Sequence, residues 1–333
     1  MAKNIAIAGV TGAVGQEFLS ILEQRDFPFD SIKMLASSRS AGKKIQFKNK
    51  EYTIEEMTEN SFNGVDIALF SAGGSQSKAF AKAVTDAGCV MVDNSSAFRM
   101  DPNVPLVIPE INPQAIAEHK GIIANPNCST IIGIVPVWPL HKANKVKRMI
   151  VSTYQAASGA GQAAMLELKD QARQVLDGKP VTCNALGYQL AFNLYAHDSR
   201  IGPNGYNEEE MKMVNETRKI FDYQDIAITC TCVRVPVLRA HCESINLEFE
   251  DAITPEQVME LLSTAPGVSI IDDREANRFP MPIDASGQDD IIVGRIRQDE
   301  SIADNRGINL WVAGDQLRKG AALNAVQIAE KLL

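Results

Sequence analysis

Asn4-Ile5-Ala6-Ile7-Ala8-Gly9-Val10-Thr11-Gly12-Ala13-Val14-Gly15 opens with a short apolar run and continues with a glycine at every third position. The apolar run predicts a strand, and the segment from Gln16 to Arg25 predicts a helix. Strand, glycine turn and helix in this order make a nucleotide-binding start. Glycines let the backbone turn tightly and approach a pyrophosphate, which then rests against the partial positive charge of the helix N-terminus. The spacing is G-x-x-G-x-x-G, a variant of the better-known dinucleotide fingerprint, and its position at the first strand and helix strengthens it. Gly9, Thr11, Gly12, Ala13, Val14 and Gly15 are therefore candidate cofactor-binding residues.

Working outward, Ile32–Ala36 is a second strand whose end should lie near the adenosine ribose. An NAD enzyme is expected to carry Asp or Glu there, but this chain has Ser37-Ser38-Arg39-Ser40 followed by Lys43 and Lys44. Hydroxyls and a guanidinium suit a 2′-phosphate, which a carboxylate would repel, so Ser38, Arg39 and Ser40 point to NADP. Further apolar runs at 65–71, 89–93 and 122–124 alternate with helical stretches. The pattern is that of an α/β fold, a doubly wound parallel sheet of Rossmann-like type. Ligands of such sheets bind beyond the C-terminal strand ends, where Gly73, Arg99 and Asn125-Pro126-Asn127-Cys128 all fall.

Cys128 has two readings. Pro126 and Asn127 are turn and cap residues that would start a helix at the thiol, and a helix N-terminus stabilises the thiolate. A free cysteine beside an apolar run is also commonly buried and inert. After Arg148 a strand ends in Gln155, followed by Ser158, Gly159 and Gly161 before an amphipathic helix over 162–176. Gln155 is placed to orient a carbonyl oxygen, and the glycines either admit a nicotinamide or merely begin the helix. The runs 227–236 and 239–249 alternate as strands of a sheet with one wet face. A final helix from Gly320 to Leu333 is expected to return to the first domain, bringing Gln316 near the cofactor.

The 333 residues, 45% hydrophobic and 22% charged, are long enough for two ordinary domains. A net charge of -8 argues against nucleic acid and anionic membranes as partners. Met1-Ala2-Lys3-Asn4 runs into an apolar stretch too short for a signal sequence, and no later run reads as membrane-spanning, so the chain reads as cytoplasmic. The six cysteines form no C-x-x-C pair and read as reduced thiols. Cys230, Cys232 and Cys242 with His241 match none of the usual zinc spacings, so no metal is expected.

The set Gly9-x-Thr11-Gly12-x-Val14-Gly15, Asn125-Pro126-Asn127-Cys128, Gln155-x-x-Ser158-Gly159, Glu209-x-x-Lys212 and Arg234 followed by His241 resembles the aspartate-semialdehyde dehydrogenase family of bacteria, in order and from end to end. The resemblance implies NADPH-dependent reductive dephosphorylation of L-aspartyl 4-phosphate through a Cys128 thioester, on the route to lysine, methionine and threonine. It implies His241 as acid/base, Gln155 as substrate-positioning residue, and Arg99 and Lys212 as phosphate ligands. Asn127 would join them in the substrate site, Arg234 would hold the substrate carboxylate and Glu209 would face its ammonium group. Ser158, Gly159 and Gln316 would serve the cofactor. It further implies a dinucleotide-binding domain over 1–130, an α+β substrate and dimerisation domain over 131–315, a C-terminal helix over 316–333 packing on the first, and a homodimer or homotetramer. Two other functions fit parts of the pattern: N-acetyl-γ-glutamyl-phosphate reduction, which Glu209 disfavours because that substrate has a neutral acetamide in place of the ammonium group, and a non-catalytic NADP-binding protein of the same fold, which the pairing of Cys128 with His241 disfavours.

Overall fold

Buried residues alternate between two layers along the first strand. Ile5 and Ile7 join one apolar cluster, while Ala6 and Ala8 join another on the opposite face. A strand buried on both faces belongs to a doubly wound sheet, and the computed structural model shows one. It describes residues 3–333; Met1 and Ala2, the start of the N-terminal run read above, lie outside the described residues.

The chain divides into two compact units. The first takes everything up to Asn127 together with Ala321–Leu333, and the second is Cys128–Gly320. In the first, strands β1 (Lys3–Ala8), β2 (Phe29–Ala36), a small hairpin of β3 (Lys44–Phe47) and β4 (Lys50–Thr53), then β5 (Glu55–Glu56), β6 (Ile67–Phe70), β7 (Val90–Asp93) and β8 (Ile122–Ala124) follow in turn. Apart from the hairpin they form a six-stranded parallel sheet in the order β5-β2-β1-β6-β7-β8. Helix α1 (Ala13–Gln24) and the C-terminal helix Leu323–Glu330 cover one face, contributing Phe18, Leu22, Val326 and Ile328 to the cluster around Ile5. Helix α2 (Gly74–Asp86) covers the other through Val84. The C-terminal helix is tied down by Asn324, whose amide donates to Val107 O at 2.9 Å and to Asn125 Oδ1 at 2.6 Å. Regular helix begins at Leu323 and not at Gly320, because a π-helical turn over Arg318–Ala322 precedes it. Helix α1 starts three residues earlier than its apolar pattern predicts. Gly15, a poor helix former, masks the first turn in the sequence.

In the second unit, β9 (Val146–Gln155), β10 (Tyr195–Ala196), β11 (Ala227–Arg234), β12 (His241–Phe249), β13 (Val268–Ile270), β14 (Ile291–Gln298) and β15 (Gly307–Gly314) make a mixed sheet in the order β10-β11-β9-β12-β15-β14-β13. Along β12, Ile245, Leu247 and Phe249 are buried, while Ser244, Asn246 and Glu248 are partly exposed, as the alternation predicts. Helix α3 (Cys128–Ala143) is apolar nearly all round and lies in the core of this unit. It holds Pro136 and Pro139 inside it, each removing one backbone hydrogen bond that its burial must offset. Helices α4 (Gln162–Leu176) and α5 (Glu208–Phe221) follow. Among the described residues no helix is long and apolar enough to cross a membrane.

His141, in the last turn of α3, packs against Trp138, Phe221 and Tyr223 and accepts from the Val146 amide through Nδ1 at 3.2 Å. Burial first, and Lys145 second, lower its pKa to about 4. A histidine whose folded pKa lies below its unfolded value adds stability that is present above pH 6.5 and is lost as pH falls through the folded value. The melting temperature of a His141→Asn variant, whose amide oxygen can still accept from Val146, should therefore fall less between pH 6.5 and 4 than that of the wild type. Parallel profiles over that window would show that His141 is not held neutral.

Candidate active site

The glycine turn after β1 is shaped by its neighbours. Gly9 adopts φ +88°, and a Cβ there would stand 2.3 Å from Ser71 O, so no other residue fits between the ends of β2 and β6. Its amide donates to Leu35 O at 2.9 Å. Gly12 is the N-cap of α1 and offers no side chain to the first amides, which leaves them for an anion. A cavity of about 510 Å³ opens here, lined by Gly9, Thr11 and Gly12 together with Ser38 and Arg39. Ala13, Val14 and Gly15 form the first turn of α1. Ser40 closes the turn after β2 through its amide on Ser37 O at 2.9 Å, and Gly73 is the N-cap of α2. Glu56, Ser71 and Gln76 also line the cavity and were not singled out from the sequence. Glu56 arrives there on a two-residue strand beyond the hairpin, which no local pattern announces. The Arg39 guanidinium and the serine hydroxyls beside a glycine cradle fit a phosphorylated dinucleotide, with the Glu56 carboxylate in the same lining.

Also in the first unit, Arg99 is buried, donating from Nε to Asn125 O at 2.9 Å and from Nη2 to Asn94 O at 3.1 Å. Asn127 is buried as the last residue of that unit.

The remaining predicted residues meet in the second unit. Cys128 is the first residue of α3, and its Sγ lies 3.6 Å from Nε2 of His241, the first residue of β12. His241 is fully buried, and its Nδ1 accepts from the Ala156 amide at 3.0 Å. That bond leaves the ring proton on Nε2, facing the sulfur. Burial first, then the Arg234 guanidinium, push the His241 pKa down to about 3, so the ring is neutral at rest. Gln155, at the end of β9, donates from Nε2 to Ser129 Oγ at 3.0 Å and to Glu209 Oε1 at 3.4 Å. Glu209 is buried and receives Lys212 Nζ at 2.7 Å on Oε2, one turn along α5. The first turn of α5 is fixed by a capping box between Asn207 and Glu210. Arg234, at the end of β11, is buried and donates from Nη1 to Ala156 O at 3.0 Å. Gly159 faces this cluster closely, and Ser158 receives a hydrogen bond from Gln316 Nε2, while Gln316 Oε1 accepts from the Ala240 amide at 2.9 Å.

Within one unit, then, a thiol at a helix start has an N–H donor beside it, an amide from Gln155, a guanidinium and an ammonium–carboxylate pair. This set can attack an acyl carbon, support charge on sulfur and oxygen, and bind a substrate that is anionic at one end and cationic beside it. Among the six free thiols, Cys89 and Cys242 are pushed up to about 12 by burial, and Cys230 is also raised, first by its contact with Cys232. Cys128 is only half-buried. Among the described residues no three His, Cys, Asp or Glu side chains are grouped to hold a metal ion. Sequence reasoning passed over His197, whose Nε2 lies 3.0 Å from Arg234 Nη2, because a lone histidine in a loop carries no pattern.

Comparison with known proteins gives a consistent picture. A family model described as semialdehyde dehydrogenase, NAD binding domain, matches residues 4–119, and one described as semialdehyde dehydrogenase, dimerisation domain, matches residues 137–319. The aspartate-semialdehyde dehydrogenase of Synechocystis sp. is 57% identical over 330 residues, covering 99% of this chain and 97% of that protein. That of Bacillus subtilis is 48% identical over 337 residues, covering 99% and 97%. The crystal structure of aspartate semialdehyde dehydrogenase II from Vibrio cholerae, complexed with ASA, superposes with a TM-score of 0.96 at 46% identity, covering 100% of this chain and 98% of that one.

Proposed function

Because this chain belongs to the aspartate-semialdehyde dehydrogenase family, we propose that Cys128 is the nucleophile of its reaction, with Gln155 and His241 acting beside it. The reaction is the reversible NADPH-dependent conversion of L-aspartyl 4-phosphate to L-aspartate 4-semialdehyde with release of phosphate. The observation that carries the assignment is the 3.6 Å contact between Cys128 Sγ and His241 Nε2 at the start of α3.

In the reductive direction the Cys128 thiolate attacks the acyl carbon, a C–S bond forms, the C–O bond to phosphate breaks, and a thioester remains on the enzyme. Bound NADPH supplies the hydride that reduces this thioester. The thiohemiacetal then collapses by C–S cleavage, releasing aldehyde and thiolate. His241 Nε2–H donates to the thiolate at rest and to the oxygen that gains charge in each addition, and the Gln155 amide adds a second donor. On this reading Arg99 and Lys212 are ligands of phosphate, and Asn127 is a ligand of the substrate. The Arg234 fork takes the α-carboxylate in a bidentate pair, and Glu209 attracts the α-ammonium group. Gly9, Thr11, Gly12, Ala13, Val14, Gly15 and Gly73 hold the pyrophosphate half of NADP, Ser38, Arg39 and Ser40 its 2′-phosphate, and Ser158, Gly159 and Gln316 its nicotinamide half. The domain limits drawn at 130 and 315, and a cytoplasmic location, belong to the same reading. The match to a dimerisation domain supports an oligomer.

The test is a comparison of substrates. With NADP and phosphate, L-aspartate semialdehyde should be oxidised with a kcat/KM about a hundredfold above that of N-acetylglutamate semialdehyde, because the Glu209 carboxylate attracts the free ammonium group of the first and gains no such attraction from the neutral acetamide of the second. Equal or inverted rates would move the assignment to the acetylated substrate.

A further inference from the structure

We propose that His197 is a positioning residue for substrate binding, acting through Arg234 by bonding one end of its guanidinium. The assignment rests on Arg234 being the carboxylate partner.

The argument starts from the backbone. Strand β10 pairs antiparallel with the end of β11, Tyr195 opposite Arg234 and Ala196 opposite Val233, and His197 continues the ladder by donating its amide to Cys232 O at 2.8 Å. This delivers the imidazole to the Arg234 side chain, where Nε2 and Nη2 stand 3.0 Å apart. The other terminal nitrogen, Nη1, is already on Ala156 O at 3.0 Å. With one nitrogen bound at each side, the plane of a buried guanidinium is fixed, and a fixed fork can meet a carboxylate with two parallel bonds without first being ordered. Ala156 also holds His241 through its amide, so the carboxylate grip and the donor at the thiol are both anchored on one residue.

The same short segment grips the start of α5. His197 O accepts from the Asn207 side chain at 3.2 Å, and Ser199 Oγ accepts from the Glu209 amide at 3.2 Å. Residues 197–199 thus touch both the strand that carries Arg234 and the helix turn that carries Glu209, which on this reading hold the two charged groups on the substrate α-carbon.

For His197 to accept from a guanidinium it must be neutral with Nε2 bare. Arg234 is a charged donor and takes precedence over the Ser199 amide, which approaches Nδ1 at 3.2 Å. Burial is the largest influence on the ring and lowers its pKa; Arg234 and Lys212 lower it further, Glu209 and Asp198 oppose them, and His241 lies within their electrostatic reach. Protonation would place an N–H where an acceptor is needed and set a cation against Arg234.

The experiment measures kcat and the KM values for L-aspartate semialdehyde, phosphate and NADP in the wild type, His197→Leu, His197→Gln and Arg234→Leu. His197→Leu should raise the semialdehyde KM about tenfold or more, with kcat and the NADP KM within about threefold. His197→Gln, whose amide oxygen can accept from Nη2, should recover most of that loss. In the wild type the semialdehyde KM should climb as pH falls below 6.5, and in His197→Gln this climb should vanish because the amide does not titrate. A His197→Leu enzyme with wild-type KM, or an acid climb that persists in His197→Gln, overturns the proposal, and the second readout stands even where the leucine variant fails to fold. If Arg234→Leu leaves the semialdehyde KM unchanged, the carboxylate assignment itself has failed; if it raises KM and His197→Leu does not, only the role of His197 has.

Discussion

Replacing Cys128 by alanine should remove phosphate-dependent oxidation of aspartate semialdehyde altogether, a loss of about ten-thousandfold or more, since no other group can carry the acyl chain. The thiol environments explain why no substitute is at hand. Cys89 and Cys242 are buried and held in the protonated form by that burial, and Cys230 and Cys232 face one another in the interior. Cys128, half-exposed at a helix start beside an N–H donor, is the thiol that an alkylating reagent should find first. Iodoacetamide at one equivalent should therefore inactivate the wild type, and peptide mapping should recover the label on Cys128. Turnover above one-thousandth of wild type in Cys128→Ala, or label mainly on Cys183, the other half-buried thiol, would falsify the assignment.

A second large loss is expected from a single methyl group. A Cβ on Gly159 would stand 3.0 Å from Arg234 Nη1 and equally close to Cε1 and Nε2 of His241. Both neighbours are held by Ala156, so neither can yield without losing a hydrogen bond. The alanine must displace the guanidinium, the imidazole or both, and a shift of a fraction of an ångström at reacting groups costs on the order of a hundredfold in rate. Gly159 is itself exposed and its backbone is acceptable to alanine, so Gly159→Ala should melt within a few degrees of the wild type while its kcat/KM falls about a hundredfold. Full activity would mean that the cluster has room to relax. A collapse in melting temperature would mean that the glycine serves the fold and not the site.

What the sequence disclosed, and what it hid, follows from the range of each signal. The glycine turn after β1 and the limits of the helix over Gln162–Leu176 are local, and both were legible. The alternation through β12 was legible for the same reason, because a sheet with one covered face writes its burial into every second residue. Helix α3 was only half legible. Its start is announced by Asn127, but Pro136 and Pro139 would ordinarily end a helix, and only the surrounding core makes their lost hydrogen bonds tolerable. Candidate site residues that carry a motif were singled out from the sequence, while His197 and Glu56 were not, since each is placed by pairing with another strand. The tautomer of His241 was likewise out of reach, being set by the Ala156 amide 85 positions away.

The last helix also orders events in time. Val326 and Ile328 share a core with Ile5 and Ile7, so the cofactor-binding unit lacks part of one wall, the part beside α1, until residues 321–333 have left the ribosome. At about 5–20 residues per second the roughly 190 residues of the second unit take on the order of 10–40 s to emerge in between. Throughout that interval the face of the nascent parallel sheet that α1 covers lacks the rest of its cover, whereas the later-made unit is contiguous and can close on its own. The half of the protein synthesised first is thus the half that finishes last.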